Sequence, residues 1–279
     1  MSEKLPFEII GQPAIQSSSL VVAWSEDAGK LGPRVVDFLN RKLGGQVFAE
    51  MDPADFFFLD GVSVEDDVAE FPGGRFYWCE GKNLLIFRSS PPMSEWYKFL
   101  SSVLDVAEHY CKVKELYTIG GMVSPSAHTT PRVLLAIANS PEIKSVLRQY
   151  DLTSDLNYET PPGQRPTLSS FLLWAAKKRN IAGANLWVPV PFYLVGNEDP
   201  RAWRKAAEFF DTRFGLDIDF TDLDEEVAKQ NKNIAQARSQ LPELDGYIDK
   251  LERNLSLSAD ENEKLAEQME EFLRTKRGG

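Results

Sequence analysis

Short apolar stretches and amphipathic stretches alternate along the first 215 residues of the chain. The apolar stretches cover residues 20–24, 115–121 and 184–195, and apolar residues at helical spacing occur over residues 33–43, 94–107 and 167–181. Apolar runs of strand length are typical of buried strands, whereas apolar positions three and four apart are typical of helices. The alternation predicts an α/β fold with a mostly parallel sheet.

Further strands are predicted at residues 56–59, 75–79 and 83–88. The turn sequence EGKN separates the last two, so we expect them to form an antiparallel hairpin. Pro189 and Pro191 interrupt the strand predicted over residues 184–195, and prolines cannot donate hydrogen bonds to a neighbouring strand. We therefore expect that segment to be a sheet edge or an irregular strand end.

Capping residues mark several predicted helix starts. A polar capping residue stands before a proline at Thr130-Pro131, Ser140-Pro141 and Asp199-Pro200, and Ser94 precedes the amphipathic stretch over residues 94–107. Side chains of this type accept a hydrogen bond from the first helical turn, and proline suits the first helical position. Each of these four places therefore predicts a helix start.

From residue 222 onward the chain has no predicted strand and is rich in Glu, Asp, Lys, Gln and Asn. Apolar residues three and four positions apart form a seam at Leu241, Leu244, Ile248, Leu251 and Leu255. Ser258 and Glu261 match a capping box, which predicts a following helix. The seam is too short for a long coiled coil, so we predict a helical hairpin or small bundle. These patterns divide the chain into an α/β core domain (residues 1–221) and a C-terminal helical segment (residues 222–279).

The composition indicates which kinds of partner the protein can bind and in which cellular compartment we expect it. A net charge of −11 argues against binding to nucleic acid or to an anionic membrane, because both require basic surface. No apolar run approaches the roughly 20 residues of a membrane span, and the N-terminal sequence lacks a signal-peptide layout. We therefore expect a cytoplasmic protein in which Cys79 and Cys111 are reduced and buried.

Motifs for common catalytic and cofactor sites are missing from the sequence. Residues 28–32, AGKLG, resemble a phosphate-binding loop, but Leu31 stands where Ser or Thr would hold magnesium and Trp24 where the first glycine belongs. The spacings of a nucleophile elbow, a zinc site and an EF-hand loop are also absent. We predict no metal site and no cofactor.

Two polar loops, residues 25–32 and 120–130, each follow a predicted parallel strand. Ligands of open parallel sheets bind beyond the carboxyl ends of the strands. If the two strands are neighbours, the crevice would be lined by Glu26, Asp27, Ser124, Ser126, His128 and Thr129, with Glu26 and His128 as candidate catalytic residues. The competing interpretation is structural: the hydroxyl side chains cap helices, the glycines permit turns, and His128 bonds a neighbour.

Five segments follow one another within residues 18–253 and read VVAWSEDAGKLGPRVVDFL, IGGMVSPSAHTTP, YETPPG, ANLWVPVPFYLVGNEDPRAW and LDGYIDKLE. In their order and spacing they resemble the proteasome assembly chaperone family, in particular its longer prokaryotic branch of the second-subunit type. The resemblance implies a three-layer α/β/α sandwich similar to nucleoside phosphorylases and peptidyl hydrolases. The family has no established catalytic residues to transfer.

The resemblance also assigns individual positions to a ligand or family-motif loop. These positions are Asp27, Gly29, Gly120, Gly121, Thr129, Tyr158 and Glu159, and Ser124 from the predicted crevice is counted in the same loop set. His128 belongs to the histidine–threonine–x–proline element of the second segment, and Tyr193 to the strand of the fourth.

The function that the resemblance implies is a non-enzymatic protein–protein interaction or assembly factor. Its partners would be proteins, and self-association as a homo-oligomer is expected, with a trimer as one candidate size. Members that dock on proteasome rings often end in a hydrophobic–tyrosine–x tail, whereas this chain ends FLRTKRGG, so we expect no docking through such a tail. The alternative is a hydrolase or group-transfer enzyme that uses the crevice around Glu26 and His128.

Overall fold

A computed structural model describes residues 5–11, 18–57, 63–65, 67–154, 156–157 and 159–277. The chain divides into two compact units. The first unit comprises Met1–Glu26, Val36–Ile119 and Leu135–Leu186, and the second comprises Asp27–Val35, Gly120–Leu134 and Trp187–Gly279. The domain boundary that the composition places at residue 221 stays a prediction.

The secondary structure alternates between strands and helices before it becomes entirely helical. The strands are β1 (Phe7–Ile9), β2 (Ser18–Trp24), β3 (Gln46–Met51), β4 (Ser63–Glu65), β5 (Val68–Glu70), β6 (Gly74–Cys79), β7 (Leu84–Ser89), β8 (Val113–Ser124), β9 (Leu135–Ala138) and β10 (Ala182–Pro191). The helices are α1 (Leu31–Leu43), α2 (Pro53–Phe56), α3 (Trp96–Asp105), α4 (Pro141–Leu147), α5 (Leu168–Lys178), α6 (Pro200–Phe214), α7 (Thr221–Gln240), α8 (Pro242–Glu252) and α9 (Ala259–Arg277).

Within the described part of the chain, one sheet contains eight strands in the order β1-β3-β6-β7-β2-β8-β10-β9. Its central strand β2 runs parallel to both β7 and β8. The pairs β1–β3, β3–β6 and β6–β7 are antiparallel, and β4 and β5 form a separate antiparallel pair. The sheet is therefore mixed with a parallel centre and flanked by helices, which confirms the predicted α/β fold class and the hairpin at EGKN.

The central strand is buried on both of its faces. Leu20 and Val22 pack in a core cluster with residues of α3 and α5, while Val21 and Ala23 point to the opposite face because side chains alternate along a strand. All four are 0% exposed. Burial on both faces explains why this strand is a continuous apolar run and not an alternating pattern.

Two of the predicted helix starts at a proline are confirmed, and one is wrong. Ser140 accepts a hydrogen bond from the first turn of α4, and Asp199 does the same for α6. No helix follows Thr130: residues 131–134 lack regular structure and β9 begins at Leu135. The backbone N–H of Ala136 donates to the carbonyl of Thr153, so this apolar run is bonded to a distant segment and not to its own preceding turn.

Two further local predictions differ from the structure. Phe56, predicted to begin a strand, is the last residue of α2, because Asp52 accepts from the N–H of Ala54 and caps a short helix there. Residues 58 and 59 of that predicted strand lie outside the described residues. The N-cap of α3 is Glu95 and not Ser94, and its left-handed backbone, with a φ of 54°, turns the chain into the helix.

The proline-containing strand β10 lies between β8 and β9, so the expectation of a sheet edge is wrong. The alternative, a strand that ends irregularly, describes it better. β10 ends at Pro191 and passes directly into a short 3₁₀ helix, Phe192–Leu194. Its neighbour β9 is shorter: it has four residues, whereas β10 has ten.

In the second unit, α7, α8 and α9 contact one another. The predicted capping box is present: Ser258 N–H donates to Glu261 Oε2 at 2.9 Å, and Glu261 N–H donates to Ser258 Oγ at 3.3 Å. The predicted seam is buried at Leu244, Ile248 and Leu251, but Leu255 is 54% exposed because α8 ends at Glu252. The predicted C-terminal helical hairpin is therefore confirmed, with α7 as a third helix against it.

Among the described helices, none has the length and apolar character needed to cross a membrane.

Candidate functional site

Asp27, three residues after β2, connects two separate backbone segments. Its Oδ2 accepts from the N–H of Gly32 at 2.7 Å and from the N–H of Gly121 at 2.9 Å. Gly32 lies in the first turn of α1, where backbone N–H groups have no partner within the helix. The carboxylate therefore caps α1 and holds the end of β8 against the same loop.

Close contacts at Gly120 and Gly121 and a left-handed backbone at Gly29 explain the glycines of this region. A Cβ on Gly121 would lie 1.9 Å from the carbonyl oxygen of Ala28, and one on Gly120 would lie 3.3 Å from Asp27 Oδ2. Gly29 has a φ of 70°, in the left-handed region that favours glycine. The glycines at the end of β8 thus permit the approach that Asp27 then fixes.

The Asp27 carboxyl has an unusual environment for an acid. Burial raises its pKa to about 6, although hydrogen bonds from the backbone N–H groups of Gly32, Gly121 and Leu31 act in the opposite direction. Its other oxygen, Oδ1, is buried and has no hydrogen-bond partner among the described residues. Desolvation disfavours the charged form of a carboxyl, and at Asp27 it outweighs the backbone hydrogen bonds that favour that form.

His128 is buried and engaged with Tyr193. The residue is 7% exposed, and the hydroxyl of Tyr193 lies 2.6 Å from the backbone nitrogen of His128 and 2.9 Å from its Nδ1. Because the hydroxyl accepts from the backbone N–H, its own proton is available to Nδ1, which fits a neutral ring protonated at Nε2. Burial lowers the pKa of His128 to about 4, so the ring is neutral at pH 7.

The backbone of the same loop is bonded to α6 and α7 through one arginine. Arg201, at the start of α6, donates from Nη1 to the carbonyl of His128 at 3.2 Å and from Nη2 to Asn231 Oδ1 at 2.9 Å. Asn231 lies in α7. The loop is therefore held at its side chain and at its backbone.

A second set of polar contacts holds the loop through residues that follow His128 in the chain. Thr129 donates to Glu252 Oε1 at 3.0 Å, and Arg238 Nη1 donates to the same oxygen at 2.9 Å. Arg132 Nε donates to Asp199 Oδ2 at 2.9 Å, and the two side chains are only 5% and 1% exposed. These bonds connect the loop to α7, α8 and the N-cap of α6.

The remaining predicted site residues do not join these clusters in any described contact. Ser124 Oγ bonds Ser126 Oγ at 3.0 Å within its own turn. Glu26 is exposed and is the last residue of the first unit's first segment, whereas Asp27 and His128 belong to the second unit. Glu159 is exposed, and Tyr158 lies outside the described residues.

Sequence reasoning missed the partners of these loop residues. It did not identify Arg132, Arg201, Arg238 or Glu252, and it placed Tyr193 only as a family-motif residue. A signal existed, because Arg201 and Glu252 fall inside the fourth and fifth segments of the family resemblance. The described residues contain no group of three His, Cys, Asp or Glu side chains that could hold a metal ion.

Comparison with known proteins assigns the chain to a family. Residues 22–238 match the model of the PAC2 family. No curated protein is significantly similar to the sequence.

Solved structures with a similar fold come from bacteria and archaea. Rv2714 of Mycobacterium tuberculosis, a protein of unknown function, is 20% identical with a TM-score of 0.75, over 96% of this chain and 98% of that one. The M. tuberculosis proteasome-assembly chaperone homologue Rv2125 is 18% identical with a TM-score of 0.67, over 82% and 99%. PbaB of Pyrococcus furiosus, an archaeal proteasome activator, is 19% identical with a TM-score of 0.65, over 83% and 98%. At these identities the likeness concerns the fold.

Proposed function

The chain belongs to the PAC2 family, and from this premise we propose that it is a cytoplasmic assembly factor that binds other proteins and performs no catalysis. The membership confirms the resemblance to proteasome assembly chaperones that the five sequence segments indicated. The specific role is inferred from how the residues of those segments are used.

One observation carries the proposal: the motif residues bond to one another. Asp27 of the first segment bonds Gly121 of the second, and His128 of the second is buried against Tyr193 of the fourth. Thr129 of the second bonds Glu252 of the fifth. If the motif residues serve to stabilise the fold, proteins of the family can have these residues in common without catalysing a common reaction.

The chemistry of the loop also favours a structural role. A general base needs an accessible nitrogen within reach of a substrate proton and a pKa near the working pH. His128 is 7% exposed, its Nδ1 is bonded to Tyr193, and burial lowers its pKa to about 4. The other candidate, Glu26, makes no described contact with it.

The names of two structural neighbours support a proposal for the class of partner. One structural neighbour is a proteasome-assembly chaperone homologue and another is a proteasome activator. We infer by analogy that the partners here are protein subunits of a larger assembly, with proteasome subunits as the first to test.

The direct experiment is capture of partners from native lysate by the tagged chain, followed by titration with purified proteasome α and β subunits. The proposal expects a stoichiometric protein partner whose affinity is unchanged in a His128→Gln variant at temperatures where that variant is folded. If the folded wild-type chain captures no protein, the proposal is contradicted.

A thermal-shift screen tests the enzymatic alternative. Nucleosides, phosphates and small acids are expected to leave the unfolding temperature unchanged, because a ligand stabilises a protein only if it binds the folded state. A reproducible stabilisation that disappears in the His128→Gln or Glu26→Gln variant would overturn the proposal. It would favour a hydrolase or group-transfer enzyme.

A further inference from the structure

Helix α9 packs on three other elements of the second unit. It contacts the 3₁₀ helix Phe192–Leu194 at the end of β10, and it also contacts α7 and α8. Leu265 and Met269 of α9 are 0% exposed, and Leu273 is 6% exposed. These three side chains are spaced four residues apart, so they lie on one side of the helix. We name the surface that α9 contacts, formed by Phe192–Leu194, α7 and α8, the α9 seat.

The two C-terminal helices are attached in different ways. The carboxylate of Glu252 joins α8 to α7 and to the loop after β8. The polar contacts described between α9 and α8 lie at accessible side chains: Lys250 bonds Glu261, and Gln268 Nε2 donates to the exposed Glu243 at 3.4 Å. The attachment of α9 therefore depends mainly on its three buried apolar side chains, which another helix with the same spacing could supply.

The contact between α9 and its seat is incomplete in its hydrogen bonding. Gln268 Oε1 is buried and has no hydrogen-bond partner among the described residues. The same holds for Nδ2 of Asn197, which is 5% exposed and follows Gly196, the residue against which the carboxylate of Glu270 lies. A buried polar atom without a partner costs free energy, so a helix with polar groups suited to these places would bind the seat better than α9 does.

The seat and its cover also differ in their relation to the family. Residues 22–238 match the family model, and they include Phe192–Leu194 but not α9. The surface and the helix that covers it therefore need not have a single common role.

We propose that the α9 seat is a docking surface for an amphipathic helix of a protein partner, and that α9 is an autoinhibitory cover that competes with this helix. Helices that bind in a groove insert apolar anchors from one side. The α9 sequence specifies the pattern: apolar residues four apart, with an acidic residue four positions before the first, as Glu261 stands before Leu265 and bonds Lys250. This inference rests on the proposed function, because it names the feature of the partner that is bound.

The first test uses a fluorescent peptide of residues 257–277 and the full chain, with binding measured by anisotropy. Met269→Asp places a charge in the seat and releases α9. This chain should bind the peptide at least about tenfold more tightly than the wild type, because a larger fraction of its seats is open. Glu267→Gln is the matched control, since Glu267 is exposed on the same helix, and it should bind like the wild type. A peptide that itself carries Met269→Asp should not bind.

The second test closes the seat while the apolar residues of α9 stay unchanged. A Cβ on Gly196 would lie 3.3 Å from the carboxyl carbon of Glu270, and Cys79 and Cys111 are buried at 0% exposed. Gly196→Cys with Glu270→Cys can therefore be joined by a thiol-cleavable bismaleimide. The crosslinked chain should lose both peptide binding and capture of the partner, and reduction of the linker should restore them. Circular dichroism and thermal unfolding show that each variant is folded.

Three results would overturn the inference: equal peptide affinity in the wild type and the folded Met269→Asp chain, peptide binding that persists after crosslinking, or partner capture that persists after crosslinking. The last result leaves the proposed function intact, because a partner is still bound. Conversely, if the Met269→Asp chain binds the peptide but no form of the chain captures a protein, the proposed function fails and the seat remains a helix-binding surface.

Discussion

Replacing Gly121 with alanine is expected to break the contact between the end of β8 and the loop after β2. The new Cβ would lie 1.9 Å from the carbonyl oxygen of Ala28, a backbone atom that no side-chain rotation can move away. An ordinary contact of this type needs about 3.2 Å or more, so one segment must shift by over about 1 Å. That shift separates Gly121 from the Asp27 carboxylate.

The size of the effect follows from the bonds that the shift disturbs. Asp27 Oδ2 accepts from Gly121 at 2.9 Å and from Gly32 at 2.7 Å, and hydrogen bonds to a charged group contribute about 1.5–3 kcal/mol each. The carboxylate would remain largely buried with fewer partners. We expect the free energy of unfolding to fall by about 4 kcal/mol, in the range of severe single substitutions.

Urea denaturation followed by circular dichroism measures this loss. Gly246→Ala is the matched control, because Gly246 lies in α8 and a Cβ there meets nothing within 4 Å. Alanine in a helix is more favourable than glycine by about 0.5–1 kcal/mol, so the control should be stabilised. The same substitution is thus expected to have opposite signs at the two sites.

A double-mutant cycle with Asp27→Ala tests the stated cause. If both substitutions act through the same pair of bonds, the double variant should lose less than the sum of the single losses, by about 1–3 kcal/mol. A Gly121→Ala variant within 1 kcal/mol of the wild type, or strictly additive losses, would refute the account of Asp27 as the link between these segments.

Three further predictions concern the loop and the C-terminal helices. Burial lowers the pKa of His128 to about 4 from an ordinary value of 6.5, so the unfolded state binds more protons between these values and acid favours unfolding. Relative to a His128→Gln variant, the wild type should lose about 3 kcal/mol as the pH falls from 6.5 to 4, and parallel stability curves would contradict this. Arg132→Met should cost about 3–5 kcal/mol in thermal or urea unfolding, because it leaves the carboxylate of Asp199 buried without its cation. A loss below 1 kcal/mol would mean that the ion pair contributes little. Ile248→Asp should cost about 4 kcal/mol because Ile248 is 0% exposed, whereas Leu255→Asp should change stability by less than about 0.5 kcal/mol. Equal losses at the two positions would show that the seam is not organised as described.

The sequence could predict the features that depend on near neighbours. The run from Leu20 to Ala23 indicates a strand that is buried on both faces, because all of its side chains are apolar. The caps at Ser140 and Asp199 and the capping box at Ser258 form within three residues, so the spacing alone specifies them.

Identical local signals lead to different structures where distant groups compete. Thr130-Pro131 has the same signal as Ser140-Pro141, yet the chain after Thr130 continues to a strand. The N–H of Ala136 bonds the carbonyl of Thr153, seventeen residues away, and the side chain of Arg132 bonds Asp199. Spacing within a short window contains no information about such partners.

For the candidate site, the sequence by itself determined the family and the identity of the motif residues, and the tertiary structure decided what they do. Asp27 and Gly121 are 94 positions apart, His128 and Tyr193 are 65 apart, and Thr129 and Glu252 are 123 apart. A histidine in a polar loop can be an exposed base or a buried hydrogen-bond partner, and only its surroundings distinguish the two. Burial and hydrogen bonding arise when remote segments pack together, because they depend on distance in space and not along the chain.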